Sequence, residues 1–238
     1  MTGRLINRPV LYIDLLHDFF SVTVMYKKYT LLLLLLLNVA FAHAEDPWAL
    51  NTNKEGIKVY TRHVANSKVK AIKVECYLDA TASQLISVLL DINGSVDWVY
   101  HTKSVSLIKK VSPSELYYYS EVSVPWPVHN RDFIAHIKVT QDPTTKIVTV
   151  DAPCIADMIP EKDGIVRIQE SVGKWIIYPQ ENGQVKVEYT LHVDAGGSVP
   201  AWLLNMFITQ GPTESFKKLK VQLQKPAYKN VKLGYIVN

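Results

Sequence analysis

The chain has 238 residues, with 26 Lys and Arg against 22 Asp and Glu, a formal net charge of +4, and 48% hydrophobic residues. So balanced a charge gives no basic field of the kind nucleic acid needs, and nucleic acid is not expected as a partner. The 2 cysteines are too few for a disulfide scaffold or a metal site of their own.

The N-terminal residues are read first as a targeting segment. From Met25 a basic start, Met-Tyr-Lys-Lys-Tyr-Thr, leads into the leucines Leu31 to Leu37 and then Asn38-Val-Ala-Phe-Ala-His-Ala44. A positive start, an apolar core and a small-x-small site make a secretory signal peptide over residues 25–44. The apolar run is shorter than the roughly 18–20 residues of a spanning helix. Residues 1–24 carry Asp14, His17 and Asp18 in front of that signal. They are read as an upstream extension, with Met25 as the true start. Residues 45–238 then form one domain, exported to the periplasm or the cell exterior. Such a compartment permits disulfides, and a Cys76–Cys154 pair and two separate thiols both stay open.

Residues 46–50 open like a short capped helix that ends before Gly56, and residues 57–63 read as an edge strand. In residues 69–78, Ile72, Val74, Cys76 and Leu78 share one face of a second strand. Thr81 or Ser83 caps a helix carrying Leu85, Ile86, Val88, Leu89 and Leu90, which stops near Gly94. A helical turn is expected at residues 97–100. Strands follow over 105–111, 116–124, 133–140, 147–150 and 165–170, separated by proline, glycine and aspartate turn signals. Residues 175–178 and 185–193, joined across Asn182-Gly183, complete an antiparallel meander. In the last of these, Val185, Val187, Tyr189, Leu191 and Val193 form the apolar face.

The final segment is helical. Ser198 can cap it, Pro200 fits its first turn, and Val199, Trp202, Leu203, Met206 and Phe207 fall on one stripe. A bend is expected at Gly211-Pro212, after which Phe216, Leu219 and Leu223 resume the period. An early helix, a run of antiparallel strands and a long C-terminal helix make an α+β plan. The stripe laid over a curved sheet would form an apolar chamber.

Four motifs occur in order: Val124-Pro-Trp-Pro-Val-His-Asn-Arg-Asp-Phe133, Asp163-Gly-Ile-Val-Arg167, Trp175-Ile-Ile-Tyr-Pro179 and Asp194-Ala-Gly-Gly-Ser-Val-Pro-Ala-Trp-Leu-Leu-Asn205. Together they resemble the START (StAR-related lipid-transfer) domain, closest in motif to its phosphatidylcholine-transfer type. The resemblance implies a helix-grip fold, in which a curved antiparallel sheet wraps a C-terminal helix around a hydrophobic tunnel for one lipid. It also implies that Arg131 contacts a lipid phosphate. Some sterol-binding members have a basic residue where this chain has Ile137, so their way of reading a sterol hydroxyl is not expected here.

The candidate lipid-binding residues are Arg131, Phe133, Ile137, Tyr118, Tyr189, Trp202, Leu203, Met206 and Phe207. Phe133, Ala135, Ile137 and Val139 share strand parity with Arg131 and are assigned to the tunnel, as is Tyr118 with Leu116 and Val122. A structural bond from Arg131 to a loop carbonyl or to Asp132 is the alternative to a ligand anion. Arg167 is assigned to shaping a turn and the sheet edge.

No nucleophile elbow, zinc-protease motif or phosphate loop occurs, and neither a cofactor nor a metal is expected. The reading is non-catalytic binding and transfer of one lipid by a monomer in transient membrane contact. An enzyme acting on a hydrophobic ligand, or a groove for an apolar protein segment, are the alternatives.

Overall fold

The computed structural model describes residues 26, 27, 29 and 46–238, apart from Asn66, Lys68, Ser198 and the side chain of Ala201. The chain divides into two compact units, Met1–Glu45 and Asp46–Asn238. In the first, Tyr26, Lys27 and Tyr29 are helical and exposed, and the rest of the signal-peptide reading lies outside the described residues.

The frame of the second unit is one 10-stranded sheet, with strands β1 (Ala49–Lys54), β2 (Ile57–Arg62), β3 (Ala71–Leu78), β4 (Thr102–Ser112), β5 (Glu115–Val122), β6 (Asn130–Gln141), β7 (Val148–Pro153), β8 (Ile165–Arg167), β9 (Glu170–Pro179) and β10 (Val185–Asp194). Their spatial order is β1-β2-β3-β10-β9-β7-β6-β5-β4, antiparallel throughout, with β8 added parallel to the start of β6. The last strand closes back on the third. Val185 faces Leu78 and Leu191 faces Ile72, so the apolar alternation of both strands falls on the same side. Hairpin geometry follows local chemistry: Glu55 and Gly56 both have positive φ, 52° and 74°, as a two-residue turn requires.

That turn corrects the N-terminal expectation. Residues 46–56 do not form a helix; Ala49–Lys54 pairs across Glu55-Gly56 with β2 and becomes the edge strand itself. β2 therefore has neighbours on both sides. The physical reason is length: five residues with one apolar turn cannot sustain a helix, whereas the Glu-Gly turn supplies a partner strand at once.

Helix α1 (Ala82–Leu90) begins with a capping box in which the Thr81 side chain accepts from the Gln84 N–H and the Gln84 side chain accepts from the Thr81 N–H. Thr81 rather than Ser83 is thus the cap. Leu85, Ile86, Val88 and Leu89 are buried, and a short helix α2 (Ser95–Trp98) follows.

The C-terminal helix comes in three pieces: α3 (Ala201–Asn205), a π-helical turn (Met206–Gln210) and α4 (Gly211–Gln222). Pro200 stands just before the first helical residue in an extended conformation, not within the first turn, and Ser198 lies outside the described residues. The expected bend is a widened turn. Gly211 N–H donates to Met206 O, five residues back, which relaxes the crowding Pro212 would otherwise impose on the carbonyl four residues before it.

Phe216 and Leu219 of α4, and Leu223 just after it, are buried with Ile57, Val59, Val74, Ile177 and Val187 of the sheet. The Phe216 ring stacks on Trp175 of β9 at 5.3 Å, and Trp175 meets Tyr189 of β10 at 4.4 Å.

The opposite side of β6 is covered too. Arg167 pairs with Asp132, Nε to Oδ1 at 2.7 Å and Nη2 to Oδ2 at 3.1 Å, and also donates to the carbonyls of Ala156, Ile159 and Pro160. This fully buried fork holds the segment after β7 against the sheet, so Ile134 on the outward parity is buried as completely as the core. Asp132→Ala would strand the Arg167 charge, and a urea-denaturation midpoint should report a loss of about 3–5 kcal/mol. A loss below about 1 kcal/mol would mean that backbone carbonyls alone carry Arg167.

Candidate functional site

Between the sheet and the C-terminal helix lies a cavity of about 360 Å³, within the range of small-molecule sites. Its wall draws on β3, β5, β6, β7, β9, β10, α1, α2 and all three pieces of the C-terminal helix, so the sheet curves around that helix. Most of the wall is aliphatic or aromatic.

Arg131 is the charged group set into the apolar sheet face, and it is only 6% exposed. It opens β6 opposite Val122 and is followed on the same face by Phe133, Ala135 and Ile137, all lining the cavity. Its Nη1 donates to His129 O at 2.5 Å and its Nε reaches Ala195 O at 3.4 Å. The loop-carbonyl alternative is therefore present, while Asp132 is committed to Arg167. No carboxylate among the described residues pairs with Arg131. Burial pushes its guanidinium down from the ordinary value, yet arginine stays charged in proteins.

The loop in front of Arg131 is fixed from below. Asn130 accepts from Val124 N–H through Oδ1 at 3.0 Å and donates through Nδ2 to Glu121 Oε1 at 2.8 Å. Burial pushes the Glu121 carboxyl up, but bonds from Lys103 and Asn130 outweigh it and hold it below the usual carboxylate range. On that anchored loop Trp126 is 90% exposed.

On the neighbouring strand β5, Tyr118 lies edge-on to Phe133 at 5.8 Å, and Tyr189 of β10 belongs to the Trp175–Phe216 stack. Burial raises both phenols well above their ordinary value, so both remain protonated donors. Phe207 is clasped edge-on by Tyr100 at 5.8 Å and His101 at 5.9 Å. Gly211 allows that approach: a Cβ there would meet Tyr100 Cδ1 at 3.2 Å.

Of the nine candidates, Arg131, Phe133, Ile137, Tyr118, Tyr189, Leu203 and Phe207 line this cavity. Trp202 and Met206 do not, and the expectation that they face the tunnel is corrected: Trp202 is 49% exposed. The inward rows are Leu203, Phe207, Gly211 and Ser215 beside Leu204, Ile208, Pro212 and Phe216, each spaced by four. Four residues of α-helix overshoot a full turn by about 40°, a drift that the wider π turn offsets. Leu116 and Val139, also assigned to the tunnel by parity, pack instead into the core beyond it. Both cysteines are free; Cys154 lines the cavity and donates from Sγ to Ile168 O at 3.2 Å, while burial pushes the Cys76 thiol up to about 12. Among the described residues no His, Cys, Asp and Glu cluster could hold a metal ion.

The family model of the START domain matches residues 35–229. The chain belongs to the START domain family. A solved STAR-related lipid transfer protein of Xanthomonas axonopodis is similar at 34% identity and a TM-score of 0.70, covering 76% of this chain and all of that one. An uncharacterised Pseudomonas aeruginosa protein is 31% identical over 77% of this chain and 90% of its own length. The phosphatidylcholine transfer protein of mouse is 27% identical over 72% of this chain and 81% of its own. The antiparallel sheet around a C-terminal helix is the helix-grip architecture of this START protein.

The cavity wall and the exposed helix face are separable by adjacent residues. Leu203→Asp buries a carboxylate and should abolish the fluorescence gain of an apolar probe added from buffer, whereas Trp202→Asp should preserve it. The reverse pattern would put the wall on the other side of α3.

Proposed function

We propose that this START protein holds one amphiphilic lipid, with its hydrocarbon in the cavity and its anionic group at Arg131, and carries that lipid between membranes without altering it. The observation that carries the reading is the buried guanidinium of Arg131, which opens on an apolar cavity and has no carboxylate partner among the described residues. A planar, permanently charged fork of donors in such a setting suits a phosphate.

Magnitudes divide the work between the two ends. Burying a tail of ~15 methylenes contributes on the order of 12 kcal/mol before ordering costs, at ~0.8 kcal/mol per CH₂. A charge-assisted bond adds about 1.5–3 kcal/mol. The hydrocarbon therefore sets whether a ligand binds, and Arg131 selects its polar end.

Transfer rather than catalysis is favoured by the wall itself: among the described residues no His, Asp or Glu, the side chains that most often serve as general bases near neutrality, lines the cavity. Relatives and a solved neighbour named for lipid transfer support the same reading.

Contact with the membrane falls to the exposed tryptophans. Trp126 sits on the loop whose His129 carbonyl receives Arg131, Trp202 is exposed on α3, and indoles partition to the lipid interface. The protein acts as a monomer, exported by its signal segment to the periplasm or the cell exterior.

Vesicle-to-vesicle transfer tests this function. The protein should move labelled phospholipid well above the spontaneous rate, and replacing Trp126 and Trp202 together by Ala should slow transfer several-fold while bound lipid is retained. Transfer no faster than the protein-free rate would overturn the proposal.

A further inference from the structure

The formal charges on the described cavity wall are Arg131 and Lys70, both positive, and no Asp or Glu accompanies them. They sit at the same end of the fold. The β3–β10 ladder ends at Ile72 opposite Leu191, two residues after Lys70, and Ala195, just past β10, accepts from Arg131. Asp194 has the outward parity of β10, and its carboxylate is engaged by the Gly196 N–H at 3.0 Å.

Tyr118 and Tyr189 add phenols that burial keeps protonated, so each can donate to an acceptor oxygen such as that of a phosphate or an ester carbonyl.

A quaternary ammonium would need open aromatic faces within about 6 Å. Trp175 already stacks on Phe216 at 5.3 Å and meets Tyr189 at 4.4 Å, and Tyr118 and Phe133 meet edge to face at 5.8 Å, so these rings are engaged with one another rather than arranged as a cage. Nor does the described wall supply a carboxylate to balance a cation.

From this distribution we infer that the site takes a lipid whose polar end is net anionic and lacks an ammonium, a phosphatidylglycerol or phosphatidate rather than a choline lipid. The inference rests on the carrier reading above and fixes its ligand class. It also sets this chain apart from the relative named for phosphatidylcholine. A choline phosphodiester could satisfy Arg131, but its ammonium would share the cavity with Arg131 and Lys70 and find no carboxylate in the described wall. A phosphatidylglycerol head has the same phosphate, replaces the ammonium by hydroxyls, and leaves a net charge for Lys70 to meet.

The test is competitive uptake. Purified protein, stripped of bound lipid, is incubated with vesicles of equal phosphatidylglycerol and phosphatidylcholine content and matched acyl chains, re-isolated, and its lipid quantified by mass spectrometry. Phosphatidylglycerol should be enriched roughly tenfold or more, the ratio expected of one charge-assisted contact. Lys70→Gln, an exposed position that leaves the core intact, should lower that ratio, and Arg131→Gln should lower it further.

Equal uptake or an excess of phosphatidylcholine would overturn the inference while leaving the carrier reading in place. Uptake of neither lipid would remove both. Excess inorganic phosphate should not displace bound lipid; displacement would mean that the site is built for the free anion.

Discussion

A permanent positive charge held in an apolar wall is the constraint on which the rest of this site depends. Taking a guanidinium out of water costs several kcal/mol unless good partners replace the solvent. Arg131 receives two backbone carbonyls, from His129 and Ala195, and no carboxylate among the described residues. The neighbouring Asp132 cannot help, because β6 alternates its side chains and Asp132 points to the other face, where it satisfies Arg167. One Arg-Asp step thus places two charges on opposite sides of a strand. One is fully paired and structural; the other has two backbone carbonyls as its partners.

That arrangement depends on the frame. β8 lies parallel beside the start of β6 and brings Arg167 level with Asp132, while Arg167 ties the chain after β7 to the outer face through three carbonyls. The inner face of β6 can then remain apolar apart from Arg131, because the polar demands of the region are met outside. Opposite it, the π-helical turn keeps two rows of small and apolar side chains, from Leu203 to Phe216, aligned over the sheet. The small residues of these rows, Gly211 and Ser215, seat Tyr100 against the helix, with Tyr100 N–H donating to Ser215 Oγ at 3.0 Å.

Much of this frame was legible in the sequence. Period-two alternation located the later strands and gave the correct face for Arg131, Phe133 and Ile137, because each strand has one apolar parity. Arg131 stands out through the resemblance that Asn130-Arg131-Asp132 carries. The C-terminal helix was less legible. Trp202, Leu203, Leu204, Met206, Phe207 and Ile208 are all apolar, so a stripe of period 3.6 could be drawn on either side, and the widened turn has no signature beyond the proline that follows it. The edge strand β1 was missed because its pairing depends on a Glu-Gly turn whose first residue adopts positive φ, a conformation that Glu seldom takes. The contributions of Trp98, Tyr100 and Lys70 to the wall arise from distant loops and helices that only the closed sheet brings together.

Whether a lipid occupies this cavity as the counterpart of Arg131 is read most simply by organic extraction and mass spectrometry of the protein purified without detergent from the cells that make it. Near-stoichiometric phosphate-bearing lipid is expected in the wild type, and a markedly lower phospholipid content in Arg131→Gln at unchanged folding. An empty wild-type protein, or one whose lipid content is indifferent to Arg131, would contradict that pairing.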